Sequence, residues 1–274
     1  MNFLLVAHGT RKQRGVSLIG DLAAQVSAAV ARPVHVAFVD VLGPTPRELL
    51  GATRGQPTVL VPAFLARGYH VSADIPAHVQ ASGHRDVTIT GPLGPDPQLI
   101  RVLVGRLVES GWRPDDSVLL AAAGTSDPAA MRDLHTTATW LSATIGSRVE
   151  LAFAATGEPR VADAVEVLRG QSRGRRVVVA SYLLSEGLFQ DRLRNSGAEV
   201  VTDPLGTHPG VARLITSRFL RARAYRRSAH GMPELAHGMP GLAHGMPGLA
   251  HGMPGQRSSR PLTQQSSTGT QFRR

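Results

Sequence analysis

The chain repeats one pattern of strand, turn and helix, and this internal duplication limits its possible folds more than any other feature. The apolar strand that begins each half ends at a turn glycine, and the two glycines, Gly9 and Gly124, are 115 residues apart. Pro-Leu-Gly occurs at 92–94 and again at 204–206, which is 112 residues further on. Small changes in loop length account for the difference between the two spacings. The pattern therefore predicts two lobes of similar size and the same fold.

Each half contains nearly continuous apolar runs that are rich in Val and Ile. The runs are FLLVA (3–7), HVAFVD (35–40), TVLVPAFL (58–65) and DVTIT (86–90), followed by SVLLAAAG (117–124), VELAFAA (149–155), RRVVVASYLL (175–184) and AEVVTDPLGTHP (198–209). Such runs are typical of strands that are buried on both faces of a parallel sheet. Helical patterns lie between them, with a capping box at Thr45–Glu48 and helix starts at Pro97 and Asp127-Pro128. The predicted class is α/β, with each lobe a parallel sheet flanked by helices in a flavodoxin-like or Rossmann-like arrangement.

The C-terminal segment has a different composition. From residue 230 it repeats HGMP every seven residues, with histidines at 230, 237, 244 and 251. Gly and Pro in every repeat exclude a continuous helix, so the segment is expected to be disordered or weakly extended. It either supplies metal ions or reflects neutral expansion of a short repeat, and the lack of fixed geometry favours the second. The expected boundaries are 1–113 and 114–228 for the lobes and 229–274 for this tail.

Composition excludes several classes of function. The chain has no cysteine, so disulfides, thiolate nucleophiles and cysteine-bound metals are absent from it. The formal net charge is +10, but residues 221–274 hold eight Arg and one Glu and so carry +7, which leaves +3 for the rest. Aromatic residues make up only 4%, which argues against a surface that stacks nucleic-acid bases. No nucleic-acid partner is therefore expected.

Hydropathy gives no sign of a membrane protein. No apolar run approaches the roughly 18 residues of a membrane span. The apolar run at the N-terminus is too short for a signal peptide, and no basic segment precedes it. A cytoplasmic protein is therefore expected, and a monomer and a homodimer both fit the sequence.

Two histidines are predicted to lie at the same edge of the first sheet. His8 directly follows the first strand, His70 lies five residues beyond the third strand, and Asp40 ends the second. Ligands of open α/β sheets bind beyond the carboxyl ends of the strands. Two imidazoles and a carboxylate suit Fe²⁺, Co²⁺ or Ni²⁺, and imidazoles also accept protons near neutral pH. Either histidine alone is better explained by a structural role, but two at this edge make a site for metal and proton chemistry as plausible as a structural role.

The motifs around these residues resemble those of the sirohydrochlorin chelatases, the class II cobaltochelatases and ferrochelatases. They are HGTR (8–11), AFVD (37–40), VPAFLARGYHVSADIP (61–76) and GPLGPDPQL (91–99), and the resemblance to the tandem-lobe form covers about 220 residues. The resemblance implies a chelatase-like fold and a lyase without a cofactor. Its substrates would be sirohydrochlorin and Fe²⁺ or Co²⁺, and its pathway that of sirohaem or cobalamin.

The resemblance also implies roles for single residues. His8 and His70 would bind the metal and remove pyrrole protons, and Asp40 stands at or beside the position of a family glutamate that assists. Substrate binding would fall on residues of the same motifs: Gly9, Thr10, Arg11, Phe64, Arg67, Gly68 and Tyr69. Arg11 and Arg67 could meet the carboxylates of sirohydrochlorin, whereas Lys12 and Arg14 are better explained as a solvated basic loop.

The second half does not repeat the two histidines. Ala123 stands in place of His8, and the loop that matches the one around His70 carries Phe189. The sequence therefore predicts one site in the first lobe, with the second lobe as the opposite wall. His208 is expected to be a loop or helix-capping residue. A carrier that binds metal or tetrapyrrole without turnover remains the alternative to a chelatase.

Overall fold

The chain is built on two four-stranded parallel sheets. A computed structural model describes residues 1–10, 12–171 and 174–230. The first sheet, here the N-terminal lobe, has the order β2-β1-β3-β4, and the second, the C-terminal lobe, has the order β6-β5-β7-β8. The strands are β1 (Asn2–Ala7), β2 (Val34–Phe38), β3 (Thr58–Pro62), β4 (Val87–Ile89), β5 (Ser117–Gly124), β6 (Val149–Thr156), β7 (Val177–Tyr182) and β8 (Val200–Val201). The identical strand order confirms the prediction of two similar α/β lobes.

Helices connect the strands and lie on both faces of the sheets. They are α1 (Gln13–Val30), α2 (Pro46–Ala52), α3 (Ile75–Ser82), α4 (Pro97–Glu109), α5 (Pro128–Ile145), α6 (Val161–Gln171), α7 (Leu188–Arg194) and α8 (Pro209–His230). A π-helical turn (His70–Asp74) precedes α3, and a short 3₁₀ turn (Leu205–Thr207) precedes α8. None of the helices in the described ranges is long and apolar enough to cross a bilayer. The repeats that the sequence predicts to be disordered, from residue 231 onward, lie outside the described residues.

Capping hydrogen bonds confirm the predicted helix starts. Thr45 Oγ1 accepts from the Glu48 N–H, and the Glu48 carboxylate accepts from the Thr45 N–H, so both halves of the capping box form. The side chains of Asp96 and Asp127 accept hydrogen bonds from backbone N–H groups in the first turns of α4 and α5. A polar residue followed by proline thus sets the start of three helices.

Strand residues alternate between two faces, and this alternation divides the core. In β1, Leu4 and Val6 point to an outer cluster beneath α2 and α3, whereas Phe3 and Leu5 point inward. The inner faces of both sheets, with α1, α4, α5 and α8, form one continuous apolar core. The two sheets therefore share one apolar core, and this core supports the loops at the edges of both sheets.

The last helix follows the second sheet in sequence but packs on the first. α8 contacts β3, α1 and α4, and the ring centroids of Phe219 and Phe3 are 4.8 Å apart. Arg226 of α8 also donates to Thr88 Oγ1 at 2.6 Å and pairs with Asp86. In the other direction, α4 of the N-terminal lobe contacts α5 and β7. Each lobe thus contributes a helix to the packing of its neighbour.

Candidate active site

A cleft of about 490 Å³ lies where the carboxyl ends of both sheets meet. The loops after β1 and β3 form one wall, and the loops after β5 and β7 form the other. This is the edge at which parallel sheets bind their ligands. The cleft contains residues that the sequence predicts for the site: His8, Gly9, Thr10, Phe64, Arg67, Gly68, Tyr69 and His70. Arg11 is outside the described residues.

A sharp turn after β1 leaves His8 at the mouth of the cleft. The next residue, Gly9, has φ +99°, and a Cβ atom there would lie 2.1 Å from the carbonyl oxygen of Asp40. Only glycine allows both this backbone conformation and this close approach. Because β1 is buried to its last residue, the turn delivers the first exposed side chain, His8, to the cleft.

The loop after β3 brings the second histidine beside the first. The ring centroids of His8 and His70 are 4.5 Å apart, with the planes at 63°. Phe64 stacks on His70, with the ring centroids 5.9 Å apart and the planes at 29°. Two imidazoles this close can face the same small ligand, although the residues are 62 positions apart in the chain.

The sequence interpretation missed Asp74, which supports His70. Its Oδ2 lies 2.5 Å from His70 Nδ1, and both side chains are about one third exposed or less. With Nδ1 engaged in this way, Nε2 is the nitrogen left for a ligand or a proton. The spacing of four residues in HVSAD is the signal that could have indicated the pair, because such residues meet on one side of a helical turn.

Asp40 does not join the histidine pair. It is exposed, it is not among the residues that line the cleft, and its Oδ1 accepts a hydrogen bond from the Val41 N–H at 2.7 Å. Among the described residues, no group of three or more His, Asp or Glu side chains is placed to hold a metal ion. The carboxylate of Asp40 therefore accepts from its own loop, and in the described residues this edge brings together the two imidazoles and the Asp74 carboxylate.

Arg67 connects the two walls rather than extending freely into the cleft. Its Nη2 donates to Asp133 Oδ1 at 2.6 Å, and its Nε and its backbone N–H donate to Oδ2 at 2.9 and 3.0 Å. Burial on its own raises the pKa of the Asp133 carboxyl, but the hydrogen bonds and the charge of Arg67 together lower that pKa below its usual value. Asp133 lies on α5, so this ion pair ties the loop that carries His70 to the C-terminal lobe.

Two further contacts join the walls. The buried hydroxyl of Tyr182, at the end of β7, donates to the carbonyl oxygen of Leu65 at 2.8 Å. Burial raises the pKa of this phenol far above its ordinary value, so it stays a neutral donor. Lys12 Nζ also lies 2.9 Å from Asp191 Oδ2 of α7, and both side chains are about half exposed. Lys12 is thus exposed, as the sequence predicted, and it also has an acidic partner in the other lobe.

In the second wall, the end of β5 and the loop after it present small side chains, and His208 lies elsewhere. Ala123, Gly124, Thr125 and Ser126 line the cleft opposite the histidine pair. His208 does not line the cleft; its Nδ1 accepts a hydrogen bond from the Gly210 N–H at the start of α8, which confirms the predicted capping role. Burial lowers the pKa of His208.

Both halves of the chain are similar to known proteins. A family model described as CbiX matches residues 2–110 and 117–222. The sirohydrochlorin ferrochelatase of Priestia megaterium is 27% identical over 235 residues, which cover 78% of this chain and 87% of that protein. The sirohydrochlorin cobaltochelatase of Methanothermobacter thermautotrophicus is 29% identical over 127 residues, which cover 38% of this chain and 88% of the relative.

Solved structures share the fold. SirB from Bacillus subtilis with Fe³⁺ has a TM-score of 0.72 at 21% identity, and the match covers 84% of this chain and 98% of SirB. A CbiX described as the terminal enzyme of sirohaem biosynthesis in denitrifying bacteria has a TM-score of 0.63 at 21% identity, covering 81% of this chain and 99% of the other. These matches extend over both lobes of the present chain.

Proposed function

This chain belongs to the CbiX family, and from that premise we propose that it inserts a divalent metal ion, Fe²⁺ or Co²⁺, into sirohydrochlorin. The observation that carries the proposal is the pair of imidazoles, His8 and His70, 4.5 Å apart in a cleft between two lobes. The curated relatives are named for this reaction with iron and with cobalt. The iron product would serve sirohaem synthesis, and the cobalt product would serve cobalamin synthesis.

The reaction exchanges one metal ion for two protons. Two pyrrole N–H bonds break, the ion forms bonds to the four ring nitrogens, and two protons leave. No electrons are gained or lost. A neutral imidazole can hold the incoming ion and can also accept a proton, because its pKa lies near neutral pH. We assign both tasks to His8 and His70, with Nε2 of His70 as the acting atom because its Nδ1 is bonded to Asp74.

The shape of the cleft suits a flat ring. The wall opposite the histidines presents Ala123 and Gly124, so a planar ligand can approach the backbone closely there. Phe64 and the exposed ring of Tyr69 offer apolar surface on the side of the histidines. Binding across both walls would hold the pyrrole nitrogens against the imidazoles and exclude water from the exchange.

Substrate contacts are assigned to the loops that line the cleft. Gly9, Thr10 and Gly68 present backbone and small polar groups, and Arg67 is positioned by its pair with Asp133. Because Arg67 is half exposed, it retains N–H donors for a substrate carboxylate. We leave Asp40 out of the metal site, since its carboxylate accepts from its own loop.

The test is a turnover assay with purified protein. Sirohydrochlorin is mixed with Fe²⁺, Co²⁺ or Ni²⁺ without oxygen, and the visible spectrum is followed against reactions that lack protein. We expect many equivalents of product per protein and a preference for one ion. A spectral change that stops at one equivalent would instead indicate a carrier and would overturn the proposal.

A further inference from the structure

We propose that Asp74 is a positioning residue, which holds His70 in the tautomer with the proton on Nδ1 and so keeps the Nε2 lone pair available. The consequence for metal insertion rests on the proposed function, but the tautomer does not. The 2.5 Å separation of Asp74 Oδ2 from His70 Nδ1 is the observation that carries the inference. An ionised carboxylate can only accept a hydrogen bond, so the proton in this contact is carried by Nδ1 of His70.

The local backbone explains why these two side chains meet. Pro76 has no N–H, and its ring clashes with the carbonyl group four residues earlier in a regular α-helix. The chain instead forms a π-helical turn over His70–Asp74, in which the Ile75 N–H bonds to the carbonyl oxygen of His70. Wide turns of this kind occur frequently at functional sites. Here the turn begins at His70 and ends at Asp74, its hydrogen-bond partner.

Partial burial strengthens the contact. The His70 side chain is 33% exposed and that of Asp74 is 27% exposed, so water competes only in part for the hydrogen bond. Carboxylates that accept from a metal-binding imidazole fix both the ring orientation and the tautomer. Asp74 therefore acts on the metal through His70, without being a ligand itself.

Two other histidines provide internal references with the opposite tautomer. His84 Nδ1 accepts from the Asp86 N–H at 3.1 Å, and His208 Nδ1 accepts from the Gly210 N–H at 3.0 Å. An accepting Nδ1 carries no proton, so the proton of these neutral rings lies on Nε2. In one spectrum, His70 should thus differ from both.

The experiment measures tautomers by ¹⁵N NMR of the full-length, metal-free protein, above the ordinary pKa of histidine. Replacement of His70, His84 and His208 one at a time by Gln assigns their signals. We expect the protonated nitrogen of His70 to be Nδ1 in the wild type, and the equilibrium to shift toward the Nε2–H form in Asp74→Ala. Asp74→Asn should preserve the wild-type tautomer, because the amide oxygen still accepts. A wild-type His70 with its proton on Nε2, or an Asp74→Ala spectrum without change, would overturn the proposal.

Metal binding gives the second readout. Co²⁺ titration of Asp74→Ala should show an affinity lower by about 10- to 100-fold than in the wild type, with a smaller loss in Asp74→Asn. Asp163→Asn, an exposed carboxylate on α6, is the matched control and should leave the affinity unchanged. Equal affinity in Asp74→Ala and the wild type would contradict the inference. If the wild type inserts no metal at all, the proposed function is wrong, whereas the NMR result on the metal-free protein still decides the role of Asp74.

Discussion

The two walls of the cleft follow nearly the same backbone path but carry different side chains. Gly9 and Gly124 have φ of +99° and +103°, and a Cβ atom on either would collide with a carbonyl oxygen at or just beyond the end of the neighbouring strand, that of Asp40 or Thr156. Just before these glycines, His8 stands in one lobe and Ala123 in the other. The duplication thus preserves the turn that exposes a side chain to the cleft, while only one copy places an imidazole there.

The loops after the third strands differ in the same way. Leu65 and Leu184 are equivalent, because the carbonyl oxygen of each is closely approached by a glycine of the following loop. Five residues beyond them stand His70 and Phe189, and nine residues beyond stand Asp74 and Leu193. Leu193 is fully buried in the outer core of the C-terminal lobe. A hydrogen-bonded pair in one lobe therefore corresponds to an exposed ring and a core residue in the other.

The C-terminal lobe contributes support where it lacks chemistry. In the loop that leads to His70, Asp133 accepts hydrogen bonds from the backbone and side chain of Arg67, and Tyr182 donates to the backbone of Leu65. The comparison teaches that one lobe carries both imidazoles and the other supports the loop that holds one of them. The following predictions test this division.

Removal of either imidazole should have the largest effect. His8→Ala and His70→Ala should each lower the rate of metal insertion by at least about 100-fold, since proton transfer by a positioned side chain contributes that much. Thermal unfolding should change little, because neither residue belongs to the buried core. The turnover assay and calorimetry check the two statements. A variant that unfolds together with its loss of activity would leave the division unsupported.

Transfer of the imidazole to the other wall should not restore activity. In His8→Ala/Ala123→His the new histidine lies on a wall whose loop after β7 carries Phe189 at the position that corresponds to His70. We expect the rate to stay as low as in His8→Ala. Recovery to more than a few per cent of the wild-type rate would show that the walls are interchangeable.

Loss of the Asp133 carboxylate should loosen the loop that carries His70. Asp133→Asn should lower the free energy of unfolding by about 2 kcal/mol, because it weakens the charged hydrogen bonds that Asp133 accepts from Arg67. It should also lower the insertion rate several-fold. Denaturant unfolding and the turnover assay measure the two effects, and unchanged values of both would remove the supporting role of the second lobe.

The stability that Asp133 contributes should depend on pH. The folded-state pKa of Asp133 lies below its unfolded value of about 3.9, so its contribution to stability is complete above that pH. The contribution is lost as pH falls through the folded-state pKa. The difference in stability between wild type and Asp133→Asn should therefore shrink on acidification below pH 4. A difference that grew there would have the wrong sign.

Replacement of His208 in the second lobe should have the smallest effect. His208→Ala removes a cap from α8 and should cost about 1 kcal/mol or less in unfolding free energy, with metal insertion unchanged. Unfolding curves and turnover rates again suffice. An inactive His208→Ala protein would show that the second lobe takes part in the chemistry.

The sequence was informative about the site where the signal was local. A strand that ends in His-Gly, and a second histidine after the third strand, predicted the edge at which the structure places both rings. Their chemical roles stay predictions. Asp74 was overlooked because its importance depends on a helical turn that loop-like sequence did not reveal, although its spacing from His70 is regular.

Sequence alone determined the two α/β lobes, the helix caps and the placement of His8 and His70, because strand periodicity, capping and the repeat are local or periodic properties. Only the tertiary structure decided that α8 crosses to the first sheet, that Arg67 pairs with Asp133 and that Asp40 stays outside the cleft. These features depend on how the two lobes pack and on which charged side chains that packing places next to each other. Neither the crossing of α8 nor the pairing of Arg67 with Asp133 follows from strand periodicity, capping or the repeat, so the sequence did not reveal them.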